Sequence, residues 1–136
     1  MTLIIDSFAW IELLTGGVHG PAVRRRFESG DLLVTPDLVL AEVARKFGRD
    51  GQPQDLTHGY LRAMVALSDI QPVTTEIAMG TVTADSELRA HARRRKLTPP
   101  SFADSIILAM ARVRRGKVLT TDRHFSDMAD VDWVGE

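Results

Sequence analysis

Residues 2–14 read TLIIDSFAWIELL and decide the fold, because they join a strand, a carboxylate and a helix in one short stretch. The apolar run at residues 3–5 predicts a parallel strand that is covered on both faces. From Phe8 onward, apolar residues recur at helical spacing. A strand that ends at Asp6 and turns directly into a helix places this carboxylate at the carboxyl edge of the sheet, where open α/β folds hold their sites. Taken alone, Asp6 is better explained as a helix N-cap.

Strand and helix patterns alternate along the rest of the chain. This alternation predicts one α/β domain, residues 1–136, with a central parallel sheet of about five strands in a three-layer α/β/α arrangement. Pro72 predicts that the third strand lies at an edge of the sheet, because proline has no N–H to donate to a neighbouring strand. The strands after the first are predicted at residues 32–34, 70–73, 117–121 and 131–134.

The helices show recognisable start signals and apolar faces. Asp37 is expected to cap the helix at residues 38–47. Residues 75–95 are expected to form one long helix or two helices joined near Gly80. Trp10 lies on an apolar helix face, so packing in the core is favoured over stacking on a base.

Composition restricts the chemistry that the chain can carry. It has 136 residues, 44% of them apolar and 26% charged, as expected for one globular core. The formal net charge of -1 neither requires nor excludes a nucleic-acid partner, because a basic surface and an acidic cluster cancel in the sum. Cysteine is absent, which excludes disulfides, thiolate nucleophiles and cysteine-bound zinc. Any metal must therefore bind to oxygen or imidazole ligands.

No targeting or membrane segment is visible in the sequence. The amino terminus enters a strand at once, without the basic and long apolar segments of a signal peptide. The longest nearly uncharged run, residues 102–111, contains Asp104 and is too short to span a bilayer. We therefore expect a cytoplasmic protein without a membrane span.

Four carboxylates are candidates for a shared site. Asp6 and Asp122 follow predicted strands, Asp104 lies in the first turn of a helix that starts at Ser101, and Glu42 lies among aliphatic residues of another helix. The carboxyl ends of parallel strands meet at one edge, so these groups are expected to converge. Crowded carboxylates repel unless a cation neutralises them, and hard oxygen ligands select magnesium, manganese or calcium. Considered singly, three of these acids are explained as helix caps and the fourth as a solvated side chain. Considered together, their placement favours a metal site.

The chain resembles a known family in four segments taken in order: LIIDSFAWIELL, TPDLVLAEVARKF, PPSFADSIILAMA and VLTTDRHF. These resemble the PIN-domain nucleases, and the size and acid spacing are most similar to the VapC toxins of bacterial toxin–antitoxin pairs. The resemblance covers nearly the whole chain, and the order and spacing of its short motifs are jointly specific. It implies an acidic metal site, with the hydroxyl of Thr120 or Ser7 in support, on Asp6, Glu42, Asp104 and Asp122.

One position departs from the family pattern. His124 stands in TTDRHF where many relatives carry an acid. Asp127 either compensates as an acid further from the metal or is a surface residue.

The resemblance implies a metal-dependent endoribonuclease that uses Mg²⁺ or Mn²⁺ and leaves 5′-phosphate and 3′-hydroxyl ends. It also implies a homodimer that a VapB-like antitoxin holds inactive. Phosphate recognition by cations is then expected, since RNA affinity rests largely on cation–phosphate contacts. The candidate cations are Arg93, Arg94, Arg95, Lys96, Arg112, Arg114 and Arg115.

Three other classes of protein are alternatives to a metal-dependent nuclease. A phosphatase of the haloacid dehalogenase type needs a second acid two residues after Asp6, where Phe8 stands. A phosphoryl-accepting receiver domain needs a central-strand aspartate and a lysine after the last strand, and neither is identifiable. A catalytically silent PIN-like module that only binds a partner is the third alternative, and the presence of all four acids counts against it.

Overall fold

Five parallel strands form the central sheet of the computed structural model, which describes residues 1–135. The strands follow the spatial order β3-β2-β1-β4-β5, and every neighbouring pair is parallel. The predicted parallel α/β sheet is therefore confirmed, and the third strand lies at an edge as expected, although it ends at Gln71, before Pro72. The strands are β1 (Thr2–Ile5), β2 (Leu32–Pro36), β3 (Asp69–Gln71), β4 (Lys117–Thr120) and β5 (Val131–Trp133).

Six α-helices connect the strands and cover both faces of the sheet. The chain moves from β1 to β2 to β3 and then crosses back to β4 on the other side of β1. Because crossovers between parallel strands are right-handed, the helices before β3 lie on one face and the two after it lie on the other. The helices are α1 (Ser7–Thr15), α2 (Gly20–Phe27), α3 (Asp37–Arg49), α4 (Gln54–Leu67), α5 (Thr75–Arg94) and α6 (Phe102–Val113), with a 3₁₀ turn at Arg123–Phe125.

Strand β1 is the centre of the core. Leu3, Ile4 and Ile5 are all buried, as a continuous apolar run predicts for a strand covered on both faces. In the register of the sheet, Ile4 lies between Val34 of β2 and Val118 of β4. The chain reverses its direction of travel across the sheet beside β1, and this reversal creates a crevice at the carboxyl ends of β1 and β4.

Trp10 ties α1 to the next strand. Its side chain is fully buried, so the predicted core position is confirmed. The indole Nε1 donates to the hydroxyl of Thr35 over 3.0 Å, and the ring packs edge-on against Phe27 with centroids 5.0 Å apart. The hydroxyl of Thr35 also shares a hydrogen bond with that of Ser68. Trp10 therefore contributes both apolar contact and a buried hydrogen bond.

Replacing Trp10 by Phe is expected to lower the free energy of unfolding by roughly 1–3 kcal/mol, because the smaller ring leaves a void and removes the bond to Thr35. Urea denaturation of both proteins measures this difference. Phe102→Leu is the matched control, since Phe102 is 74% exposed and its truncation should change stability little. Equal stabilities of Trp10→Phe and the parent would contradict the packing described for α1.

One local expectation is wrong, and one open alternative is decided. Asp37 does not cap α3, because β2 continues through Pro36, which pairs with Gln71, so Pro36 itself occupies the capping position. Asp37 is the exposed first residue of the helix and makes no capping hydrogen bond. Of the two alternatives for the fifth helix, the structure has a single continuous helix. Gly80 lies against α6, where an added Cβ would stand 3.3 Å from the Cβ of Ala109.

The helices also bear on the membrane prediction. The longest, α5, has 20 residues and carries charged side chains along its length. Within residues 1–135, no helix combines the length and the apolar character that crossing a bilayer requires.

Candidate functional site

Four carboxylates from four separate elements meet at the carboxyl edge of the sheet. Asp6 follows β1 directly, and Asp122 follows β4 after one intervening residue. Glu42 projects from the middle of α3, and Asp104 lies in the first turn of α6. All four line one cavity of about 300 Å³, called here the acid cavity. The sequence-predicted candidates are thus brought to one place by elements on both faces of the sheet.

Asp6 acts as a helix cap and also lines the acid cavity. One carboxylate oxygen accepts the backbone N–H of Ala9 over 2.9 Å, and the other accepts the hydroxyl of Thr120. The side chain is only 2% exposed. Burial raises the pKa of Asp6 to about 8, against the lowering effect of these two hydrogen bonds and with a further increase from the charges of Asp122 and Asp104. Without a cation, this carboxyl group holds a proton near neutral pH.

Asp104 is held by the capping box that its sequence predicts. Its carboxylate accepts the backbone N–H of Ser101 over 3.0 Å, and the hydroxyl of Ser101 accepts the N–H of Asp104 over 3.2 Å. Burial raises the pKa of Asp104, the bonds to Ser101 lower it in part, and the charge of Asp122 raises it further. As for Asp6, burial and a neighbouring carboxylate both disfavour the charged form of Asp104.

Glu42 carries the least satisfied oxygen of the four acids. Its side chain is half-buried, and its Oε1 is buried without a hydrogen-bond partner. Burial raises the pKa of Glu42, and the charge of Asp104 adds to the effect, whereas Arg45 and the hydroxyl of Ser7 lower it. An orphaned buried acceptor is costly, so this oxygen is a natural position for a bound cation.

Thr120 links two of the acids. Its hydroxyl donates to Asp6 and accepts the backbone N–H of Asp122 over 2.9 Å. Thr120 carries one of the two hydroxyls expected to support the site, and this hydroxyl bonds to both Asp6 and Asp122. Ser7 lines the same cavity on the side of Glu42.

His124 binds to Asp122 at the position where an acid was expected in relatives. Its ring Nδ1 lies 3.0 Å from a carboxylate oxygen of Asp122, and its Nε2 lies 2.8 Å from the carbonyl oxygen of Thr98. Both of these oxygens can accept a hydrogen bond from the ring, and the hydroxyl of Thr98 also lies 3.2 Å from Nε2. Burial lowers the pKa of His124, but the hydrogen bonds to Asp122 and to Thr98 outweigh it, and the pKa is raised. Asp127 is exposed, pairs with Arg95 and lies outside the acid cavity, which favours its interpretation as a surface residue.

The donor set fits a hard divalent cation in its chemistry. It offers four carboxylates, three of them with a raised pKa, and one unpaired oxygen. Among residues 1–135, however, no three carboxylate or imidazole groups converge closely enough to hold one ion as the side chains stand. The local donors described above explain this spacing, since they engage oxygens of Asp6, Asp104 and Asp122.

The seven cations proposed from sequence for phosphate recognition do not line the acid cavity. Arg112 is paired with Glu87 and Asp130, and Arg95 is paired with Asp127. Three other cations, Arg45, Lys46 and Arg49 of α3, line a neighbouring cavity together with Glu42. Their signal in the sequence is the spacing of three, four and seven residues from Glu42, which places all of them on one helix face.

Several solved structures are similar in fold to this chain. No curated protein matches the chain. A toxin–antitoxin complex from Klebsiella pneumoniae is similar in structure, with a TM-score of 0.72 and 19% identity over 98% of each chain. VapC20 of Mycobacterium tuberculosis, named a sarcin–ricin loop cleaving toxin, has a TM-score of 0.71 and 19% identity, covering 95% of this chain and 96% of that one. DNA-bound VapBC from Salmonella typhimurium has a TM-score of 0.68 and 17% identity, covering 98% of this chain and 96% of that one.

These low identities establish a shared fold. The family assignment has a separate basis, which is the match of a family model, that of the PIN domain, to residues 3–131. The matched segment includes all four strand-edge and helix carboxylates of the acid cavity. On this match over nearly its whole length, the chain belongs to the PIN domain family.

Proposed function

We propose that this chain is an endoribonuclease that hydrolyses RNA phosphodiester bonds with Mg²⁺ or Mn²⁺, and that it acts in the cytoplasm as the toxin of a toxin–antitoxin pair. The observation that carries the proposal is the set of four carboxylates, Asp6, Glu42, Asp104 and Asp122, around one cavity. Membership of the PIN domain family supports nuclease chemistry. The similar solved structures, which include toxin–antitoxin complexes, support the toxin function.

In this proposal the four carboxylates hold the divalent ion. When bound, the ion supplies positive charge for the scissile phosphate and lowers the pKa of the attacking water. Thr120 keeps Asp6 and Asp122 at a fixed separation, because its hydroxyl is bonded to both residues. Glu42 and Asp104 approach from helices on opposite faces of the sheet, so both layers of helices contribute to the site.

The chemical step is an attack of water on phosphorus. The bond from phosphorus to the 3′ oxygen breaks, which leaves a 3′-hydroxyl on one fragment and a 5′-phosphate on the other. Glu42 Oε1 is buried without a hydrogen-bond partner, so it is the carboxylate oxygen best able to accept a hydrogen bond from the attacking water. His124 keeps Asp122 oriented through its ring Nδ1.

Incubation with total RNA, in Mn²⁺ and in chelator, tests the proposal. We expect cleavage only with the metal, and mapped fragments with 5′-phosphate and 3′-hydroxyl ends. Cleavage that persists in chelator, or cyclic phosphate ends, would refute the metal-dependent chemistry.

The partners belong to the same proposal. A VapB-like antitoxin is proposed because the similar solved structures include toxin–antitoxin complexes. A homodimer is proposed with it, and Met79 and Val82, both largely exposed on α5, offer apolar surface for such contacts. Light scattering of the purified chain, alone and co-expressed with a candidate VapB-like antitoxin, measures both assemblies.

A catalytically silent partner-binding module is the second candidate function. The local hydrogen bonds that occupy oxygens of Asp6, Asp104 and Asp122 favour it, because a silent domain needs no convergent ligands. Calorimetric titration with Mn²⁺ separates the candidates. The nuclease proposal expects saturable binding that depends on the acids, whereas the silent module expects none.

A further inference from the structure

A second cavity opens directly beside the acid cavity. It has a volume of about 220 Å³ and lies between α1 and α3, and we name it the α1–α3 groove. Its wall shares Ser7, Phe8 and Glu42 with the acid cavity. The two cavities therefore adjoin at these three residues.

The far wall of the α1–α3 groove is cationic. Arg45 and Arg49 lie on the same face of α3 as Glu42, and both are exposed. In the part of the chain that the structure describes, neither arginine has a carboxylate within salt-bridge distance, whereas the intervening Lys46 pairs with Asp50 over 3.1 Å. These arginines are therefore available to an external anion, unlike the paired Arg95 described above.

An aromatic ring stands where the two cavities join. Phe8 follows Asp6 by two residues in the first turn of α1, and its side chain is 51% exposed. The only acid of α1 that lines the groove, Glu12, is bound to the next loop, because its carboxylate accepts the backbone N–H of His19 over 3.1 Å. The groove thus combines an exposed ring with unpaired cations, and both features suit a single nucleic-acid strand.

We infer that single-stranded RNA reaches the acid cavity through the α1–α3 groove, with a base stacked on Phe8 and phosphates bound by Arg45 and Arg49. The inference rests on the proposed ribonuclease function and adds the form of the substrate and the path of its strand. A single strand is specified because its unstacked bases are open to an aromatic ring, whereas an A-form duplex keeps its base faces covered. The phosphate contacts then lie on α3 and not on the basic end of α5.

The cationic wall is tested with Arg45→Gln/Arg49→Gln. Binding of a fluorescent single-stranded RNA is measured in chelator over a series of salt concentrations, so that cleavage does not interfere. We expect affinity to fall on the order of tenfold or more at low salt, and the slope of log K against log salt to decrease by about 1.4, since each phosphate contact on a single strand contributes about 0.7. Arg25→Gln/Arg62→Gln removes the same charge from exposed positions outside both cavities and should change neither quantity.

The aromatic position is tested separately. Phe8→Ala and Phe8→Leu should each weaken RNA binding by on the order of tenfold, because both remove base stacking, whereas Phe8→Tyr should restore it. Tyrosine rescue distinguishes stacking from a general apolar contact, which leucine would preserve. Thermal melts of each variant establish that the fold is retained.

The outcomes separate this inference from the proposed function. Unchanged affinity and salt slope in the variants of a protein that cleaves RNA would overturn the path and leave the nuclease assignment intact. Weakened RNA binding in the variants of a protein that cleaves no RNA would support the path and refute the nuclease. An acidic peptide of matched charge that binds with the same dependence on Phe8 and Arg45 would assign the groove to a protein segment and overturn the RNA inference.

Discussion

Replacing Asp104 by Asn is expected to abolish metal-dependent RNA cleavage and to preserve the fold. The Asn side-chain oxygen still accepts the N–H of Ser101, so the start of α6 remains capped. The charge that helps to bind the cation is lost. Metal assistance is worth several kcal/mol of transition-state stabilisation, and each 1.36 kcal/mol is tenfold in rate, so a loss of about 10²- to 10⁴-fold is expected. Single-turnover cleavage with Mn²⁺ measures it.

Asp127→Asn is the matched control for this substitution. It makes the same chemical change at an exposed carboxylate outside the acid cavity, where the pair with Arg95 contributes little to stability. Its cleavage rate should equal that of the parent. Full activity in a folded Asp104→Asn protein would remove Asp104 from the site, and an equal loss in both variants would show that the assay reports net charge alone.

The sequence predicted that the carboxylates converge, because their positions follow from a local pattern that occurs twice. Asp6 and Asp122 each follow an apolar strand, and parallel strands bring such positions to one edge without any contact between distant segments having to be known. Asp104 was predictable for a similar reason, since the S-x-x-D pattern fixes its place in the first turn of a helix. In each case a short segment determines where the carboxylate lies.

The features that the sequence did not predict depend on contacts between distant segments. Strand β2 ends at Pro36, two residues later than predicted, because Pro36 pairs with Gln71 of β3. Arg112 looked available for phosphate, yet Glu87 and Asp130 reach it from α5 and from the loop before β5. His124 takes its second partner from the loop between α5 and α6, at Thr98. Pairings of this kind are invisible to periodicity and spacing.

The stability of the metal-free protein should depend on pH through Asp6. Burial raises the pKa of Asp6 from 3.8 to about 8 in the folded chain. A carboxyl group whose pKa is higher in the folded state stabilises the fold fully below its unfolded pKa, and this contribution is lost as the pH rises through the folded value. In chelator, the melting temperature of the parent is therefore expected to decrease as the pH rises from about 4 to about 8.

Asp6→Asn is expected to raise the melting temperature in chelator at pH 8. The neutral amide removes the cost of a buried charge, which we place at about 2–4 kcal/mol at this pH, and a domain of this size then melts roughly 5–10 °C higher. Its oxygen can still accept the N–H of Ala9, and its amide can donate to the hydroxyl of Thr120, so the local bonds are largely kept. Near pH 4 the two proteins should melt at similar temperatures, because Asp6 is then protonated in the parent.

Divalent metal should stabilise the parent and Asp6→Asn to different extents, and this difference separates a shared site from unrelated helix caps. A ligand that binds only the folded state stabilises it by mass action, about 2.7 kcal/mol at a concentration one hundred times its Kd. Mn²⁺ is therefore expected to raise the melting temperature of the parent far more than that of Asp6→Asn. Asp37→Asn, an exposed carboxylate on α3 outside the acid cavity, should respond to Mn²⁺ as the parent does. If Asp6 were only a cap, the Asn variant would melt at or below the parent in chelator and both would respond equally to Mn²⁺, because no repulsion would be relieved and no metal ligand lost.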